Sequence, residues 1–233
     1  MRSSSERQSE RPDSYEPEIL ASLEDRLDPK HTALIIVDMQ YDFCVEGYGA
    51  HRAGRDITAA RGIIPAIGRL LAAARAANMP VAHVGFLTLA NHRSDSGPWL
   101  AQRRRSTASA PNLCMEGTKG AEYIDELRPI AGEWAVPKHR YSAFTGTNLD
   151  TLLRSRGVRS VVITGVSTNA CIDSTMRAAF EHEYYVAVPP DGVGSWNKSL
   201  HEATLANVNH RIGITPTTDE IIAVWKNAKQ AAR

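Results

Sequence analysis

The chain has 233 residues, 42% of them hydrophobic, and a formal net charge of +1. That length suits one α/β core, and the near-neutral charge excludes a strongly basic nucleic-acid binder. Cys44, Cys114 and Cys171 lack CxxC spacing, which excludes a disulfide framework and a structural zinc site; no run approaches the roughly 18 apolar residues of a membrane span.

Residues 1–29 read as a polar N-terminal extension and 30–233 as a single domain. The segment Met1 to Pro17 is rich in Ser, Arg and Glu. It lacks the apolar stretch of a secretory signal, so a reduced, cytoplasmic setting follows. Glu18–Leu27 reads as a short helix ahead of Pro29. Ala33–Val37 is an unbroken apolar run ending at Asp38, as expected of a parallel strand covered on both faces. A glycine-bearing loop follows over Gln40–Gly54. Asp56–Asn78 repeats Ile63, Ile64, Ile67, Leu70, Leu71 and Ala74 at helical spacing, with Pro65 marking a first turn.

Val81–Phe86 is the second strand. Leu87–Gly120 is the least regular stretch and reads as a binding loop or lid. Ala121–Leu127 is a short helix, Trp134–Pro137 the third strand ending at Lys138, and Leu149–Arg156 a helix closed by Gly157. The fourth strand, Val161–Thr164, runs through a small-residue turn into a helix over Cys171–Glu181. Tyr184–Val188 is the fifth strand. Ser199–Asn209 is helical, Ile212–Ile214 is a short sixth strand, and Thr218–Lys229 is a terminal helix. Apolar strands alternating with helices define a three-layer, Rossmann-like αβα domain with a mainly parallel six-stranded sheet. Neither GxGxxG nor GxxxxGK[ST] is present, so no common phosphate-cradling loop is expected.

In such sheets the site lies at the carboxyl ends of the strands. Those ends carry an acid (Asp38), a base (Lys138) and a thiol (Cys171). Taken singly, Asp38 reads equally as a turn aspartate, Lys138 as a solvated lysine and Cys171 as a structural cysteine. Together they suit nucleophilic acyl transfer: the carboxylate takes the thiol proton and the ammonium supports the thiolate, as does the helix N-terminus.

The segments VDMQYDF at Val37–Phe43, VPKHRYSAF around Lys138 and TGVSTNACIDSTMRAA at Thr164–Ala179 resemble the isochorismatase-like cysteine hydrolase superfamily. The likeness spans about residues 30–215. Within it the region from Lys138 to Val188 is similar to ureidoacrylate amidohydrolases, and to biuret, triuret and N-carbamoylsarcosine hydrolases. The resemblance implies sheet order 3-2-1-4-5-6 and a triad of Asp38 (proton shuttle), Lys138 (electrostatic support) and Cys171 (nucleophile). It also implies a non-proline cis peptide at Val166–Ser167 and an oxyanion hole from the Ser167 and Cys171 N–H groups. Because the third strand is then at the edge, Lys138 must reach back over the second strand. The implied reaction is cleavage of a linear amide C–N bond in a small carbamoyl or ureido compound through a thioester or thiocarbamate.

Phe43, Trp99, Tyr141 and Phe144 are candidate pocket walls. Arg103, Arg104 and Arg105 are either a solvated basic run or a carboxylate binder. Nicotinamidases of the superfamily carry an aspartate and histidines on a metal; here His83 and His92 form no such set, so no metal and no cofactor is expected. Alternatives are a maleamate-like carboxamide hydrolase, a vinyl-ether hydrolase, a non-catalytic binding domain, and a redox sensor pairing Cys171 with Cys114. A homodimer or homotetramer with no nucleic-acid or membrane partner completes the expectation.

Overall fold

A computed structural model describes residues 16–105 and 112–231; the extension before residue 16 and the side chain of Arg105 lie outside the described set. The parallel strands are β1 (Thr32–Val37), β2 (Val81–Phe86), β3 (Trp134–Lys138), β4 (Ser160–Val166), β5 (Tyr185–Ala187) and the two-residue β6 (Val193–Gly194). Their order is β3-β2-β1-β4-β5. β6 continues along β4 past the end of β5, pairing Val193 with Gly165. The segment expected as a sixth strand contributes one parallel bridge, Ile214 to Ala187. The chain just before it, Val208–Ile212, is taken up in a π-helical turn.

β1, β2 and β4 are buried along their whole length, which explains their lack of polar alternation. Alternate residues serve different cores. Leu34 and Ile36 join Ile67, Leu70 and Trp225 on one face of the sheet. Ala33, Ile35 and Val37 join Leu149, Leu153 and Met176 on the other.

The helices are α1 (Leu23–Arg26), α2 (Tyr41–Cys44), α3 (Gly49–Arg52), α4 (Thr58–Gly62), α5 (Ile64–Ala76), α6 (Gly97–Arg105), α7 (Leu149–Ser155), α8 (Asp173–Glu181), α9 (Lys198–Asn207) and α10 (Thr218–Ala231). The single helix expected over Asp56–Asn78 is two, with Pro65 in the first turn of α5. No helix of the described residues is long and apolar enough to cross a membrane.

The Leu87–Gly120 segment is anchored at both ends. Thr88 bridges to Met115, and the Cys114 N–H donates to Asp42 Oδ2 at 2.6 Å. Between them α6 sets the Trp99 ring 6.1 Å from that of Phe86 at the end of β2. Instead of the helix expected over Ala121–Leu127 there are two 3-10 turns, Lys119–Ala121 and Asp125–Leu127. That backbone is committed elsewhere: Ala121 O accepts from Gln40 Nε2 at 2.7 Å, Glu122 O accepts from Tyr41 N, and Ile124 N donates to Met39 O.

Candidate active site

β1 and β4 are neighbours at the switch point of the sheet, with Val37 opposite Gly165. At Gly165 the backbone turns to φ +112°, and a Cβ there would lie 2.0 Å from Val37 O. Only glycine permits that approach. The chain then passes a cis Val166–Ser167 peptide and makes one π-helical turn, Thr168–Ile172, before α8. Such turns often mark functional positions. Cys171 sits inside this turn, where a regular helix start was expected. Across the switch point Asp38 adopts φ +55°, its N–H donating to Val84 O at 2.8 Å.

Lys138 comes from the edge strand. It is paired with Phe86 across β2–β3, and its Nζ passes 5.1 Å from the centre of the Phe86 ring. It then donates to Asp38 Oδ2 at 2.8 Å, Arg140 O at 3.2 Å and Cys171 Sγ at 3.3 Å. Lys138 and Asp38 are 0% and 1% exposed and Cys171 is 8% exposed. Asp38 Oδ1 is buried without a hydrogen-bond partner.

The electrostatics follow from that burial. Desolvation raises Asp38 above the ordinary carboxylate range, opposed by the Lys138 charge and the Cys171 thiol. Burial lowers Lys138, but Asp38 and Cys171 outweigh it and the ammonium is held above its usual value. Cys171 is pushed up to about 12 by burial and the Asp38 charge, with Lys138 opposing. The sequence favoured a thiolate. In the structure burial and the Asp38 charge act the other way, towards the thiol, with the Lys138 ammonium opposing.

Asp38 and Cys171, with Lys138 behind them, adjoin a cavity of about 530 Å³ lined by Phe43, Trp99, Tyr141, Arg103 and residues from three other loops. Trp99, from α6, meets Tyr141 edge-on at 4.8 Å. Phe144 is a correction: it belongs to the core on the α7–α8 face and stacks on His182 at 5.1 Å. Its strand-end motif placed it near Lys138, but the chain turns inward between Tyr141 and Phe144. Arg103 is not a solvated residue. It is 4% exposed and pairs with Asp95 at 3.1 Å. His83 is in the core against Glu133 at 2.9 Å, and His92 pairs with Asp95 on the loop. Among the described residues no three His, Cys, Asp or Glu side chains form a metal-holding group.

The sequence reading missed Arg55, Asn169, Ser195 and Trp196, all of which line the cavity. Asn169 Oδ1 accepts from Ser167 Oγ at 2.9 Å and Ser195 Oγ at 2.6 Å, tying the loop after β6 to the turn after β4. Had Val193–Gly194 been read as a strand, the strand-end rule would have pointed to Ser195 and Trp196.

A carboxylate, ammonium and thiol buried together at the switch point of a parallel sheet fit a cysteine hydrolase. Residues 32–220 match the isochorismatase domain model. The chain is 34% identical over 212 residues to the ureidoacrylate amidohydrolase RutB of Agrobacterium fabrum, covering 87% of this chain and 93% of that one. The corresponding protein of Methylobacterium radiotolerans is 36% identical over 200 residues, 80% of this chain and 76% of its own. Among solved structures, a cysteine hydrolase from Pseudomonas syringae pv. phaseolicola superposes with TM-score 0.77 at 26% identity, covering 87% of this chain and 96% of that one. N-carbamoylsarcosine amidase from Thermoplasma acidophilum gives 0.65 at 27% identity, covering 81% and 97%. The chain belongs to the isochorismatase family.

Proposed function

We propose that the protein is a cysteine amidohydrolase that cleaves a linear amide C–N bond of a small carbamoyl or ureido compound. The observation that carries this reading is the position of Lys138 Nζ, within hydrogen-bonding distance of both Asp38 Oδ2 and Cys171 Sγ. With Oδ2 held by the ammonium, the unpartnered Oδ1 is the acceptor for the thiol proton. The likeness to ureidoacrylate amidohydrolases over 87% of the chain supports the substrate class.

Burial and the Asp38 charge push the thiol up to about 12, which favours thiol over thiolate at neutral pH. Attack therefore requires proton transfer to Asp38 as the C–S bond forms. The N–H groups of Ser167 and Cys171 receive the oxyanion, each such donor contributing about 3 kcal/mol to the barrier reduction. Asp38 then returns its proton to the leaving nitrogen, and the C–N bond breaks. A thioester or thiocarbamate stays on Cys171. Water, deprotonated by Asp38, displaces the sulfur, and the thiol is restored as acid or carbamate departs. Lys138 remains protonated throughout and balances the charge that moves between oxygen and sulfur.

Three free, buried cysteines support placing the enzyme in a reducing cytoplasm. The test is ammonia release from ureidoacrylate, biuret, triuret, N-carbamoylsarcosine, maleamate and simple amides, with Cys171→Ala as control. Turnover of ureido compounds that vanishes in the variant is expected. Turnover confined to carboxamides lacking a urea unit would sink the substrate class, and an active Cys171→Ala would sink the mechanism.

A further inference from the structure

The cavity holds a cation that the hydrolytic chemistry does not use. Arg55 lies in the loop between α3 and α4 and lines the same cavity as Cys171. Its guanidinium carbon sits 4.7 Å over the Trp196 ring. The other basic residue lining the cavity, Arg103, is already matched to Asp95, Lys138 behind it to Asp38, and Arg140 donates to the Ser94 and His139 carbonyls. Arg55 has no such carboxylate among the described residues. Asp56 beside it turns instead to its own helix start, accepting the Thr58 N–H at 2.8 Å.

Two donors here are unsatisfied. Arg55 Nε and Trp196 Nε1 are both buried without a hydrogen-bond partner. A buried donor left unpaired is costly; both nitrogens are covered by their surroundings, and it is the rest of the Arg55 guanidinium, stacked on Trp196, that adjoins the cavity. Phe43, Leu113 and Trp196 line the cavity together with the polar Asp56, Ser195 and Asn197; the apolar part strengthens a charge-assisted bond by excluding water, and Asp56 is turned to its own helix start. Burial lowers the Arg55 guanidinium from its usual value, with Tyr141 opposing, and it stays charged. A bound anion would oppose that lowering.

We propose that Arg55, held by its stack on Trp196, binds a carboxylate at the end of the substrate remote from the scissile carbonyl. The inference rests on the amidohydrolase reading for the reaction and narrows its substrates to ureido or carbamoyl acids, against neutral compounds such as biuret and triuret. Arg55 acts on specificity and binding and takes no part in bond making.

The test has two arms. In the first, propionate and propionamide are compared as protectants of Cys171 against iodoacetamide, read by peptide mass. Propionate is expected to protect and propionamide not; Arg55→Ala loses about tenfold or more in propionate affinity, Arg55→Lys keeps part of it, and Trp196→Phe loses less. Unprotected labelling at the wild-type rate in each variant shows that the site is still folded. Equal protection by the two compounds, or full protection in Arg55→Ala, overturns the proposal. In the second arm, kcat/KM is measured for ureidoacrylate and its methyl ester. A roughly 100-fold preference for the acid, expressed in KM and erased by Arg55→Ala, is expected; equal loss on acid and ester overturns it. The first arm requires no turnover, so failure of the ureido reading leaves the Arg55 result distinct.

Discussion

Lys138 Nζ stands 2.8 Å from Asp38 Oδ2, although β2 separates their parent strands. Both groups are removed from water, so each holds the other charged. Asp38→Asn leaves a buried ammonium unpaired. It is expected to abolish activity and to cost about 3–5 kcal/mol of stability. Replacing the whole pair, Asp38→Asn with Lys138→Met, restores much of that stability while activity stays absent. Urea unfolding of the single and double variants checks this. A double variant no more stable than Asp38→Asn would show that the pair is not a coupled unit.

The thiol of Cys171 is raised to about 12 by burial and by Asp38. Its alkylation by iodoacetamide should therefore climb steadily from pH 7 to pH 10 without a plateau. Lys138→Met removes the one charge that stabilises the thiolate, and should slow labelling further at every pH in that range. A plateau below pH 8 would mean that a thiolate–ammonium pair already exists at rest. Cys44, also held near 12, and the fully buried Cys114 should label more slowly than Cys171, which opens on the cavity.

The apolar runs at Ala33–Val37, Val81–Phe86 and Val161–Thr164 were legible because both faces of a central parallel strand are buried; the polar residues in them, His83 and Thr164, are buried with hydrogen-bond partners. Asp38, Lys138 and Cys171 were legible because strand ends in this architecture converge on one side. The cavity wall was not. Arg55 and Trp196 stand in loops whose approach depends on a two-residue strand, Val193–Gly194, too short to leave a periodic signal. Phe144 misled for a related reason: it follows the Lys138 strand closely, but its direction depends on the turn between Tyr141 and Phe144. Arg103 looked solvated because its partner, Asp95, is eight residues away across a helix start.

Gly165 makes the meeting of β1 and β4 possible. Gly165→Ala places a methyl 2.0 Å from Val37 O at φ +112°, a backbone state that alanine disfavours and a contact that backbone alone must relieve. The expected cost exceeds about 4 kcal/mol, seen as insolubility or a large drop in urea midpoint. Gly68→Ala, with nothing within 4 Å of the added Cβ and in the body of α5, is the control and should be neutral or stabilising by up to about 1 kcal/mol. If both variants unfold alike, the close approach of the two strand ends is not what glycine serves.

Away from the site, Glu133 gives the fold an acid-sensitive clamp. Burial raises its pKa, but Arg75, the Ile130 N–H and His83 outweigh this and hold it at about 2 against an ordinary 4.5. Arg75 Nε lies 2.7 Å from Oε1, and His83 Nε2 lies 2.9 Å from Oε2. A carboxylate whose folded pKa is depressed contributes stability that is fully present above 4.5 and is lost as pH falls towards 2. The gap of about 2.5 pH units, at ~1.4 kcal/mol each, sets an upper bound of about 3.5 kcal/mol. Glu133→Gln cannot titrate, so it should be less stable than wild type at pH 6. That difference should shrink as pH falls from 4.5 to 3, while the other carboxylates titrate equally in both proteins. Urea unfolding at pH 6, 4.5 and 3 measures it, and a difference that stays constant across the series would rule the clamp out.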